Sequence, residues 1–279
     1  MSTTVIAVLV TALAASPGAA VTVLTVAGNG LLVHSPMSGE LRGDLCREPN
    51  VCTPVDYDNS ATGTAALNQG TASLYDTLQA TAGQKIVMAY SQGGFITTTW
   101  MNTYASDPVA PPANDLSFVL FGNPQRAIGG ASVASGSAAT PTDTKYKVVD
   151  ISRQYDSVSD WPDDPYNALA IANAVAGYFY THTDYTGVDV NDPHNLVKTV
   201  GNTAYVLVPT PQLPLLEPLR RIGLTTLADQ LNTQLKPIVD AGSRRNHRGF
   251  VPETAPVLPA PYGTTPPLPR TSLTSSATS

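Results

Sequence analysis

Short apolar runs of β-branched and aromatic residues alternate along this chain with longer stretches whose apolar positions recur every three or four residues. The runs are "VTVLTVAG" (21–28), "QKIVMAY" (84–90), "LSFVLFGNP" (116–124), "KYKVVDISRQYD" (145–156) and "NTAYVLVPT" (202–210). Each predicts a buried strand. Between them, "TGTAALNQGTASLYDTLQAT" (62–81) carries Ala66, Leu67, Leu74 and Leu78 at helical spacing. Further helices are predicted over "QGGFITTTWMNTYAS" (92–106), over Pro165–Phe179 with proline in the first turn, and over "LADQLNTQLKPIVDAG" (227–242). "IGGASVASGSAATPTD" (128–143) reads as a flexible small-residue loop.

Strands that alternate with helices predict an α/β fold, a mostly parallel central sheet with helices on both faces. The hydrophobic share of 42% against 13% charged residues suits a large core under a sparsely charged surface. One domain is expected over 21–245. The Pro/Ser/Thr-rich stretch 246–279 reads as a disordered tail, and 1–20 as a signal peptide or N-terminal anchor. The apolar run within "VIAVLVTALAASPGAA" is shorter than the roughly 20 residues a membrane span needs.

A net charge of −6 argues against nucleic acid as a partner, because no basic stripe is present to neutralise phosphates. The two cysteines, Cys46 and Cys52 in "LCREPNVC", are spaced for a small disulfide-closed loop. A disulfide implies an oxidising compartment, so the expected location is secreted or cell-envelope. Neither a phosphate-cradling loop nor a ligand cluster appears, so no metal or organic cofactor is implied.

The candidate chemistry begins at "IVMAYSQGGF" (86–95). This is one letter from G-x-S-x-G, the strand-to-helix turn that displays a nucleophilic serine in α/β-hydrolases. A serine nucleophile must stand clear of the backbone, reach a base and face oxyanion donors. A sharp turn at Ser91 supplies the first, and Ala89 and Gly93 are the small residues it requires. Capping of the following helix is the plainer role for such a serine. The Gln92 amide at a helix N-terminus is one oxyanion donor, and the turn "GNG" at 28–30 offers Asn29 or Gly30 as the second.

Downstream, the order Ser, acid, His is available. Asp156 follows a strand end directly, with Asp160 as the alternative acid; Asp163 and Asp164 read as first-turn helix residues. His182 lies just past the next predicted helix, and His194 in "NDPHN" competes with it. His247 begins the tail and is expected to be solvated.

Taken together, "YSQGG", "RQYDSVSDWPDDPYNALAIANAVAGYFYTHTDY" and "GNTAYVLVPTPQLPLLEPLRRIG" resemble the PE-PPE domain of mycobacterial and related actinobacterial proteins, a cutinase-like serine α/β-hydrolase family. The resemblance spans roughly residues 20 to 245. It implies Ser91 as nucleophile, Asp156 of "QYD" as acid and His182 of an H-x-x-Y segment as base. Ala89 departs from the usual glycine, and "GNG" is shorter than the typical first turn.

The leading expectation is an esterase acting on lipid or acyl-ester substrates, with apolar residues of the 165–180 helix and Trp161 lining the acyl site. An acyltransferase that loads trehalose-type envelope glycolipids is the alternative, and a non-catalytic envelope or host-interaction protein is the third reading. Cell-envelope or membrane association fits any of these. Oligomeric state is not legible.

Overall fold

Among the described residues, eight strands form one sheet in the order β2-β1-β3-β4-β5-β7-β6-β8. The computed structural model describes residues 20–30 and 36–252. The expected N-terminal leader and the part of the expected tail beyond Pro252 lie outside the described residues. The strands are β1 (Thr22–Val26), β2 (Val51–Pro54), β3 (Lys85–Tyr90), β4 (Leu116–Phe121), β5 (Lys147–Arg153), β6 (Leu196–Val200), β7 (Thr203–Val208) and β8 (Val251–Pro252). All neighbours pair in parallel except β6, which runs antiparallel to both β7 and β8.

The helices are α1 (Thr64–Ala80), α2 (Gln92–Tyr104), α3 (Ala131–Ala134), α4 (Ala168–Gly177), α5 (Glu217–Arg221) and α6 (Thr225–Ala241). This is the mostly parallel, helix-covered sheet of an α/β-hydrolase-like fold. Every residue of β3 is buried, as a central parallel strand requires. Its side chains divide by the two-residue strand period. Val87 and Ala89 pack with Leu74, Ile96 and Trp100 under α1 and α2. Ile86, Met88 and Tyr90 point to the other face, where Leu41, Leu45, Tyr185 and Val188 close the core. That second face is covered by the 3-10 segment Met37–Cys46 and the loop after His182. The Cys46–Cys52 disulfide joins the end of the 3-10 segment to edge strand β2, with Cα atoms 5.3 Å apart.

Differences from the expected elements have local causes. Helix α4 starts at Ala168, not Pro165, because the Asn167 side chain accepts from the Ala170 N–H at 3.0 Å and caps it there. The small-residue loop contains the helical turn α3, whose Ala131 N–H is bound by the Val158 carbonyl at 2.9 Å. Residues 246–252 belong to the fold and not to a tail, since β8 pairs with β6.

After β1 the chain turns outward to β2, whereas after β3 it proceeds the other way to β4. A crevice therefore opens beyond the carboxyl ends of β1 and β3, the topological switch point where open α/β sheets bind ligands.

Candidate active site

Ser91 sits at that crevice, between β3 and α2, with φ 51° and ψ −111°. A side chain adopts this conformation only under strain imposed by its surroundings. The surroundings supply it on both sides: the Ser91 N–H is bound by the Phe121 carbonyl at 3.1 Å, and the Ser91 carbonyl accepts from Gly94 at 2.8 Å. Gly93 lets the turn close. A methyl group there would lie 2.2 Å from the Val26 carbonyl oxygen at the end of β1. Ala89 is fully buried within β3 and fits without a glycine. Capping is not the role of Ser91, because its side chain makes no capping bond. Its Oγ lies instead 2.9 Å from His182 Nε2.

His182 reaches this position because α4 ends in a π-helical turn over Tyr178–His182. Such single turns re-aim side chains and recur at functional sites. The Tyr178 ring stacks on the imidazole with centroids 5.7 Å apart, and the Tyr90 ring lies tilted against it at 5.5 Å. The Tyr90 hydroxyl donates to the His182 carbonyl, which fixes the backbone as well.

Asp156 Oδ2 lies 2.9 Å from His182 Nδ1. The other hydrogen bonds of the Asp156 carboxylate are all donated to it. Tyr185 Oη donates to Oδ2 at 2.6 Å, and the Val158 and Ser159 amides donate to Oδ1 at 2.7 and 3.3 Å. Burial alone would raise the Asp156 carboxyl, but His182, the Tyr185 hydroxyl and the Val158 amide hold it below the usual carboxylate range. An ionised carboxylate only accepts, so Nδ1 carries the hydrogen and Nε2 is left free to accept from the Ser91 hydroxyl.

The alternative residues fall elsewhere. His194 has an 84% exposed side chain and lies 2.7 Å from Asp192 in a surface loop. Asp160 is buried beside the Asp156 turn but faces His247, at 2.7 Å. His247, expected to be solvated, is therefore tucked into the fold, with only 19% of its side chain exposed.

The oxyanion expectations divide. The Gln92 N–H is the first of α2 and has no carbonyl partner within the helix. Gly30 is not a donor to the crevice, since its N–H is committed to the Asn59 carbonyl at 2.9 Å. Asn29 lines the crevice and donates its side-chain amide to Gln92 Oε1 at 3.1 Å. Gln92 Nε2 in turn donates to the Ala61 carbonyl at 3.0 Å.

Above Ser91 lies a cavity of about 490 Å³, walled mainly by Leu67, Phe95, Pro124, Ala131, Val158 and Tyr178. Tyr178 is the contribution of the α4 segment; Trp161 is not among the lining residues. The size and apolar walls are those of a small-molecule site with few polar groups. The supporting tyrosines were not anticipated as such. The signal for Tyr185 was in the H-x-x-Y spacing, which places its hydroxyl back on Asp156.

The PE-PPE domain model matches residues 42–244. Esterase PE16 of Mycobacterium tuberculosis is 36% identical over 200 residues, 65% of this chain and 38% of its own length. Diacyltrehalose acyltransferase Chp2 of the same organism is 32% identical over 220 residues, 71% of this chain and 61% of its own. The chain thus spans less than two thirds of the length of either relative. A cutinase-like protein from Cryptococcus sp. overlaps 50% of this chain and 78% of its own, at 17% identity and a TM-score of 0.39.

Proposed function

This chain belongs to the PE-PPE domain family, and we propose that it is an exported serine esterase whose nucleophile is Ser91. One observation carries the reading: Ser91 Oγ, His182 and Asp156 form an unbroken relay, with contacts of 2.9 Å at both joints, at the mouth of an apolar cavity.

The chemistry follows from the atoms. As Ser91 Oγ bonds to the ester carbonyl carbon, His182 Nε2 takes the hydroxyl proton. The carbonyl oxygen gains charge beside the Gln92 N–H, where the start of α2 favours an anion. Asp156 holds the Nδ1–H and stabilises the imidazolium. His182 then protonates the departing alcohol, leaving an acyl-enzyme on Ser91. Water, with its proton taken by His182, releases the acid and restores the serine.

The esterase relative favours hydrolysis. The diacyltrehalose acyltransferase relative favours a second reading, in which a sugar hydroxyl takes the place of water in the last step. The Cys46–Cys52 bridge supports an exported, secreted or cell-envelope location.

The test is labelling by a fluorophosphonate together with turnover of p-nitrophenyl esters of graded chain length. Hydrolysis by the wild type, abolished in Ser91→Ala with labelling lost, is the expected result. Labelling of Ser91 without hydrolysis turns the assignment to acyl transfer. No labelling of the folded protein overturns the nucleophile and leaves the non-catalytic reading.

A further inference from the structure

Besides the exposed His194–Asp192 pair, the chain holds a largely buried aspartate–histidine contact, 87 residues apart in sequence, that the relay through Ser91 does not use. His247 Nε2 lies 2.7 Å from Asp160 Oδ1. Asp160 is 4% exposed, and its other oxygen accepts the Tyr155 N–H at 2.9 Å. Its own N–H donates to the Asp156 carbonyl at 2.7 Å. Tyr155 immediately precedes Asp156 and holds φ at 70°, in the left-handed region that a tyrosine adopts only when held there. Asp160 therefore closes the turn that presents Asp156, and His247 is the group that closes on Asp160.

The segment around His247 is anchored to the same loop by further hydrogen bonds, among them one from Arg245 Nη2 to the Asp163 carbonyl. Arg245 Nε donates to Asp163 Oδ1 at 2.9 Å, the Asn246 N–H to Asp163 Oδ2 at 2.8 Å, and Asn246 Nδ2 to the Trp161 carbonyl at 2.9 Å. Strand β8 then continues onto the sheet edge. This strap spans the catalytic-acid loop from outside the crevice, and neither His247 nor Asp160 lines the cavity.

We propose that His247 is a positioning residue: through Asp160 it locks the Tyr155–Asp156 corner so that Asp156 Oδ2 stays on His182 Nδ1. The contact is charge-assisted. Burial alone would lower the His247 imidazole, but the Asp160 carboxylate, with Asp240 adding to it and Arg126 opposing it, holds it above its ordinary value of 6.5. Without His247, the buried Asp160 carboxylate loses its imidazole partner and the strained corner loses its outer support.

This inference rests on the Ser91 esterase reading, so the experiment first counts active sites by fluorophosphonate titration of the wild type. If the wild type neither labels nor turns over, that reading fails, whatever His247 does. With an active wild type, His247→Ala, His247→Gln and Asp160→Asn are compared by kcat per titrated site and by KM. The expected result is a fall in kcat of about ten-fold for His247→Ala, the scale of one charge-assisted hydrogen bond, with KM unchanged. His247→Gln, which keeps an N–H donor at the Nε2 position, recovers most of it. An unchanged kcat per titrated site in His247→Ala, or no recovery in His247→Gln, overturns the proposal and leaves the contact as fold stabilisation. If His247→Ala does not fold, the decision passes to Asp160→Asn: reduced kcat at unchanged KM sustains the proposal, and wild-type kcat sinks it.

Discussion

Tyr185 donates its hydroxyl at 2.6 Å to the same Asp156 oxygen that faces His182 Nδ1. The hydroxyl is buried, and its titration is pushed well above the ordinary tyrosine range, so it remains a donor. Removing it in Tyr185→Phe takes one donor from Asp156 and leaves the Arg153 N–H, which donates to Tyr185 Oη at 3.1 Å, without that acceptor. A kcat about ten-fold lower is expected, since one hydrogen bond to a charged group is lost. The linked effect is on acid stability. Because Asp156 is held below its ordinary value of 3.8, its stabilisation is present above that value and lost as pH falls through the folded one. Tyr185→Phe weakens that hold, so acid unfolding followed by circular dichroism should begin at higher pH than in the wild type. Coincident acid transitions would disprove the coupling.

Gly122 lies against the imidazole with φ 55°. A methyl group there would sit 3.0 Å from His182 Cε1, 3.2 Å from Nδ1 and 2.9 Å from the Tyr90 ring. Gly122→Ala is therefore expected to displace His182 and to strain the backbone together. Misplacing a reacting group by about 1 Å costs on the order of a hundred-fold in rate. The variant should fold, with a lower melting temperature, and lose activity on that scale. Full activity on p-nitrophenyl esters would mean that the imidazole moves freely.

Glu40 is fully buried on the second face of the sheet, next to a corner where Leu41 and Arg42 both hold positive φ. Neither carboxyl oxygen makes a well-formed side-chain hydrogen bond, although the Tyr185 N–H faces it. Burial first, and then the Asp184 charge, push its carboxyl from 4.5 up to about 7. A raised carboxyl favours the protonated form in the folded state, so stability falls as pH rises from 4.5 through 7. The gap corresponds to about 3 kcal/mol once Glu40 is fully ionised. Glu40→Gln removes the ionisation. The variant should match the wild type in urea melts near pH 4 and exceed it near pH 8. An equal difference at both pH values would refute this assignment.

How much of this was legible in the sequence depended on where each residue sits. The central strands β1, β3, β4, β5 and β7 were readable because burial on both faces demands unbroken apolar runs. The three strands missed, β2, β6 and β8, all lie towards the sheet edges, where short, half-exposed segments carry little hydrophobic signal. For β6 a signal existed: Gly201-Asn202 between two strand-like runs is a hairpin turn, and Gly201 takes the φ of 57° that such a turn needs. Ser91 and Asp156 were legible because each ends a recognisable strand. His182 and His194 were not separable by spacing, since a π-helical turn, which leaves no periodic mark, decides which imidazole faces inward. His247 was hidden by its neighbours: "RRNHR" has the composition of a solvated tail, and only the tertiary contact with Asp160 draws it in.

The side chains of Asn29 and Gln92 and the Ala61 carbonyl form a chain of hydrogen bonds across one wall of the crevice, at 3.1 and 3.0 Å. Its far end ties down the loop of Thr62 and Gly63, which line the cavity just before α1. Gln92→Ala cuts both bonds but keeps the backbone N–H assigned to the oxyanion. The chemistry at Ser91 should survive, while the wall beside the acyl group loosens. The expected outcome is a KM raised about three- to ten-fold for the longer p-nitrophenyl esters, the scale of one or two neutral hydrogen bonds, with kcat within about two-fold of wild type. A fall in kcat at unchanged KM would instead assign the Gln92 side chain itself to transition-state stabilisation.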